Sequence, residues 1–236
     1  MQETMPVWPV PYVLRKSRRT KHFHLRFNRQ YELEVVYPYW SSQKQAVGFL
    51  YEQKSWVMKH YPKMRLRALQ YRSLPLVMDL QALCQQWYID YTRSSTAMHC
   101  QEQGSRIYIA GNIDNHQLVR KHLRQWLTGK AQVYLSHQLS ELSQLTGISF
   151  NGMKLGNQQT LWGACSSHGI ITLNIKLMLM PQAIVRYVII HELCHRRHFD
   201  HSAAFWSLVE KFEPDYRQLK KHLKQDPLHV AVFLYE

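Results

Sequence analysis

The chain has 236 residues, 45% hydrophobic and 19% charged, and its 30 Lys/Arg against 16 Asp/Glu give a formal charge of +14. That length can bury a sizeable core in one large or two small domains, and 12% aromatic residues with only 9 Gly and 9 Pro exclude a fibrous, low-complexity or disordered chain. Its 4 cysteines form no CxxC pair, which excludes a disulfide scaffold and points to a reduced, cytoplasmic protein.

The apolar start carries Pro6, Pro9 and Pro11 and has no basic residue before Arg15, which argues against a signal helix. No stretch approaches the roughly 18–20 apolar residues of a membrane span. Residues 1–79 hold 14 Lys/Arg against 5 Asp/Glu, densest at Arg15, Lys16, Arg18, Arg19 and Lys21 and continuing to Arg26 and Arg29. Such a surface either serves solubility alone or attracts phosphate backbones without sequence preference. Nonspecific nucleic-acid binding is the partner expectation it raises.

Alternating runs at residues 22–27 and 31–37, separated by Asn28-Arg29-Gln30, read as a hairpin that Pro38 ends. Residues 41–60 carry a helical pattern through Val47, Leu50, Tyr51, Val57 and Met58, and strands are expected at residues 76–80, 87–92, 96–101 and 106–110. From residue 114 to about 145 the period changes. Leu118, Leu127, Leu135, Leu139 and Leu142 belong to a long helical stretch that Gly147 closes and Gly129 is placed to interrupt. Strand-like segments follow at 148–155, 160–166 and 170–177, the last two joined at His168-Gly169, and a further helix begins near Pro181. The expected fold is α+β, a β-rich region 1–113 followed by a helix/sheet region 114–236.

That last helix ends in His191-Glu192-Leu193-Cys194-His195, an HExxH motif. Histidines four apart share a helix face and can offer both imidazoles to one ion, while Glu192 reaches a metal-bound water from the side. Chance supplies roughly 0.03 such matches in a chain of this composition. A zinc hydrolase needs a third ligand. His198 sits about 10 Å further along a straight helix, too far to share the ion. Glu210 or Glu213 would complete a thermolysin-type set. His201 falls at the ten-residue spacing of HExxHxxGxxH, with Asp200 and Ser202 suited to a turn and a new helix start, and is the favoured ligand although His198 replaces the glycine. Cys194, Phe205 and Trp206 read as core, and Tyr216, Arg196, Arg197 and Arg217 are candidates for oxyanion stabilisation. Trp162 reads as core or as part of a strand edge that binds peptide, and His22 and His24 as surface histidines.

The segments Trp162-Gly163-Ala164-Cys165-Ser166-Ser167, Ile171-Thr172-Leu173-Asn174, His191 to Ser202, and Phe205-Trp206 resemble the YgjP-like metallopeptidases, related to SprT-like and other small HExxH enzymes. The resemblance is close over residues 150–222. Leu161 stands where an Arg is expected and Ala164 where a Ser is expected. The resemblance implies a zincin-like catalytic region over residues 114–236, with Zn2+ held by His191, His195 and His201 and Glu192 as general base activating a zinc-bound water against a peptide carbonyl. Two alternatives are a metal-dependent phosphohydrolase acting on nucleotides and a nucleic-acid-binding module with a vestigial metal site. The intact Glu192 argues against the second.

Overall fold

A computed structural model describes residues 8–28, 31–225 and 234. The chain forms two compact units, Met1–Leu74 and Pro75–Glu236. The division falls at residue 74/75 rather than near residue 113, where the sequence period changes. That change marks a switch from strand to helix inside the second unit, because the strands before it and the helices after it share contacts: Trp126 Nε1 donates to Glu102 at 2.7 Å, and the Trp87 and Trp126 rings meet edge-on at 5.0 Å.

In the first unit β1 (Tyr12–Ser17), β2 (His24–Phe27) and β3 (Leu33–Pro38) form a sheet in the order β1-β3-β2. The expected hairpin is present as the antiparallel pair β2/β3, while β1, unread in the sequence, pairs parallel with β3. Arg29 and Gln30 of the hairpin turn lie outside the described residues. As the central strand, β3 is buried throughout, and Leu33, Val35 and Tyr37 join Ala46, Leu50 and Val57 in one core. The expected helix is two helices, α1 (Gln43–Glu52) and α2 (Lys54–Arg72). Ser42 opens α1 with a capping box, in which its hydroxyl accepts from Gln45 N at 3.2 Å while Gln45 Oε1 accepts from Ser42 N at 2.9 Å. Buried Glu34 pairs with Arg15 at 3.2 Å and Arg26 at 2.5 Å, so part of the basic cluster is neutralised internally. Lys16 and Arg18 lie over the Tyr39 ring at 4.8 and 5.0 Å.

In the second unit β4 (Val77–Leu80), β5 (Gln85–Arg93), β6 (His99–Gln103) and β7 (Arg106–Gly111) pair in the order β4-β5-β7-β6, with β5 and β7 parallel. Helix α3 (His116–Thr146) runs unbroken through Gly129 and ends at Gly147 in the left-handed conformation (φ 64°). Leu127, Leu135, Leu139 and Leu142 lie on its buried stripe as the periodicity implied, whereas Val133 and Leu145 face outward. The smaller sheet consists of β8 (Gly152–Gly156), β9 (Gly163–Cys165) and β10 (Ile170–Asn174) in the order β8-β10-β9, which leaves β9 at an edge. A 3-10 turn, Ile175–Leu179, leads to α4 (Gln182–Cys194), α5 (Ala203–Phe212) and α6 (Tyr216–Gln225). Among the described residues no helix is long and apolar enough to cross a membrane.

Candidate metal centre and active site

Helix α4 is anchored by its own sequence. Ile184, Val185, Val188, Ile189, Ile190, Leu193 and Cys194 are all buried, so the last turn, which carries His191 and Glu192, is held in the core. Burial pushes the Cys194 thiol up to about 12, and Cys194 is not one of the side chains that converge at the centre. The helix stops at Cys194 and the chain turns back through residues 195–200. His198 stays at negative φ, so no glycine is needed at its position. Asp200 Oδ1 accepts from Ser202 N at 3.3 Å and Ser202 Oγ accepts from Phe205 N at 3.4 Å, which together start α5 as expected.

This turn brings His201 back to the helix. Its Nε2 lies 3.2 Å from His191 Nε2, His195 Nε2 lies 3.2 Å from the same atom, and potential ligand atoms of all three residues fall within 4.8 Å of one another. No other group of three potential ligands occurs among the described residues. His195 Nδ1 lies 3.0 Å from the His198 carbonyl; donating to that oxygen fixes the tautomer that leaves Nε2 with a free lone pair. Phe205, fully buried, packs its ring against all three imidazoles, with centroids at 4.5 to 4.9 Å. Trp206 adds contacts to His191 and His201 and stacks on Tyr216 at 5.2 Å. Phe205 and Trp206 therefore do more than fill core: they orient the three rings.

Burial first, then the neighbouring His195, His201 and Lys220 charges, push the His191 imidazole down to about 3, so it is neutral at ordinary pH. Neutral imidazoles are the form a cation requires. Tetrahedral zinc at about 2.0–2.1 Å from each nitrogen separates its ligands by about 3.3 Å, close to the 3.2 Å at which His195 and His201 each stand from His191. The donor set fits zinc.

The other candidates for a third ligand are engaged elsewhere. Glu210 pairs with Arg217 at 3.2 Å, Glu213 pairs with Arg186 at 3.0 Å, and His198 contributes only its carbonyl. Of the oxyanion candidates, Arg196 donates to the Ser149 carbonyl, Arg197 is exposed, Arg217 is paired and Tyr216 is stacked on Trp206.

Glu192 is 6% exposed, and burial pushes its carboxyl up to about 8. It lies against Gly163 of β9, where an added Cβ would stand 2.7 Å from both Cγ and Oε1 of Glu192. The missing side chain at Gly163 is what lets the carboxylate occupy its place. Glu192 and His191 line a cleft of about 480 Å³ together with Leu161, Trp162, Tyr187 and Lys220. Its wall is pinned by fully buried Asn174, whose Nδ2 donates to the Gln158 and Leu161 carbonyls at 2.9 and 2.8 Å. Lys176 Nζ donates to the Gln158 carbonyl at 2.9 Å, and burial pushes its ammonium down to about 8.

The roles of Gly163, Asn174 and Lys220 went unread in the sequence. A glycine inside a strand, between Trp162 and Ala164, signals close approach of another group, and would have identified Gly163.

No curated protein matches this chain in sequence. Its structure is similar to the metallopeptidase zymogen abylysin of Pyrococcus abyssi, with 22% identity over 39% of this chain and 92% of that one and a TM-score of 0.36. It is also similar to the metallopeptidase zymogen jannalysin of Methanocaldococcus jannaschii, with 20% identity over 39% of this chain and 97% of that one and a TM-score of 0.34. The model of the YgjP-like metallopeptidase domain matches residues 21–226, and the chain belongs to that family.

Proposed function

We propose that this metallopeptidase is zinc-dependent, with His191, His195 and His201 as the metal ligands and Glu192 as the general base. The observation that carries the reading is the convergence of three imidazole nitrogens beside a buried carboxyl at the wall of an apolar cleft. Zinc, when bound, lowers the pKa of a water and polarises the scissile carbonyl. Glu192 takes the proton of the attacking water and returns it to the leaving amine. Burial alone would keep Glu192 protonated at neutral pH, and a cation held by the adjacent histidines favours the carboxylate that a base requires. Among the described residues no strand pairs on the outer side of β9, where an extended peptide can add a strand.

Purified protein is expected to retain a single zinc ion per chain and to hydrolyse peptides in a chelator-sensitive manner that added zinc restores. Hydrolysis of nucleotides but not peptides by the metal-loaded protein would overturn the reading.

Gly163→Ala tests how the base is positioned. The added methyl displaces the Glu192 carboxylate, and misplacement of a catalytic group by about 1 Å costs on the order of 100-fold in rate. Turnover is expected to fall by about that factor while zinc content stays at one ion per chain. Wild-type kcat in a folded Gly163→Ala protein would show that the Glu192 position does not depend on the glycine.

A further inference from the structure

The cleft carries two cations that the hydrolytic chemistry does not use. Lys220 and Lys224 are one helical turn apart on α6 and both line it, with Leu223 between them in sequence, facing walls built from Leu161, Trp162 and Val188. Lys220 Nζ stands 3.8 Å over the ring of Trp206, the same ring that packs on His191 and His201, so this charge lies beside the metal centre. Among the described residues neither lysine has an ion pair, and the one acidic side chain lining the cleft is Glu192. Both burial and the charge of Lys224 push the Lys220 ammonium down. Like charges one turn apart on a helix repel, here between a half-buried Lys220 and an exposed Lys224. An anion entering the cleft relieves it.

We propose that Lys220 and Lys224 make the cleft selective for a peptide that presents a carboxylate beside an apolar residue, with the carboxylate on the two ammonium groups and the apolar side chain against Leu161, Trp162 and Leu223. This rests on the metallopeptidase reading for the location of the scissile bond, but the binding preference belongs to the cleft itself. The carboxylate can come from an Asp or Glu side chain or from a free C-terminus.

The test uses the zinc-loaded Glu192→Gln protein, which holds peptides without cleaving them, and four peptides of one apolar sequence. These carry Glu or Gln at one position, each with a free or an amidated C-terminus. Calorimetric binding is expected to favour the peptide with the correctly placed carboxylate by about tenfold over the fully neutral one, the contribution of one charge-assisted contact. The Glu/Gln and free/amide comparisons identify which carboxylate is read. Lys220→Gln and Lys224→Gln should each reduce that ratio, and Lys224→Glu should reduce it further, towards equal binding of the acidic and the neutral peptide. The ratio is taken within each variant, so a general loss of affinity cancels. Equal binding of acidic and neutral peptides, or a preference that survives both glutamine variants, overturns the proposal. Selective binding of the acidic peptide by a wild-type protein that cleaves none of the four supports the proposal and counts against the hydrolytic reading alone.

Discussion

His201→Ala is expected to lose its zinc. The variant leaves two imidazoles, and a two-nitrogen site falls short of the three protein ligands that a hydrolytic zinc requires. Loss of a supporting residue around a metal already costs about 10–100-fold in affinity. Loss of a ligand is expected to cost at least as much, so the ion should dialyse away under conditions in which the wild type keeps it. Metal analysis after dialysis against a weak chelator reads this directly. Glu210→Ala and Glu213→Ala are the controls. Their carboxylates belong to Arg217 and Arg186, at 3.2 and 3.0 Å, so zinc content should match the wild type in both. Full occupancy in His201→Ala with loss in either glutamate variant would replace the assignment with a thermolysin-type set.

What the sequence shows of this site is what lies close together in the chain. His191, Glu192 and His195 share one helical turn, and His201 returns through a turn whose closing residues, Asp200 and Ser202, announce themselves by type. The ten-residue spacing therefore translates into a contact of 3.2 Å. The walls of the cleft are another matter. Gly163, Tyr187 and Lys220 come from a strand, a helix and a later helix, and which of their atoms face one another depends on packing that no local period encodes.

The same contrast holds for the fold. The stretch from residue 114 to 145 is legible because its recurring apolar residues must share a face, and Gly129 fails to break the helix because one glycine costs only about 1 kcal/mol there. Strand β1 was hidden because Tyr12–Ser17 alternates weakly and runs into the basic cluster; its parallel partner β3 lies about twenty residues on. The boundary near residue 113 followed the change of period, whereas compactness follows contacts such as Trp126 with Glu102.

Glu192→Gln separates chemistry from metal binding. The substitution keeps the length and volume of the side chain, so its packing against Gly163 is retained, and none of the three nitrogens of the donor set is touched. An amide has no lone pair basic enough to take a proton from water. Positioned general acid–base catalysis contributes about 10²–10⁴-fold, and in the proposed mechanism Glu192 acts both in attack and in departure of the amine. Turnover of a peptide is therefore expected to fall by at least that range, with zinc content and the circular dichroism spectrum unchanged. Combining Glu192→Gln with Gly163→Ala should cost little beyond Glu192→Gln alone, because the glycine acts through the carboxylate that the first change has removed. A Glu192→Gln protein that retains zinc and turns over peptide at the wild-type rate would remove Glu192 from the chemistry, and the mechanism would then need a different base in the cleft.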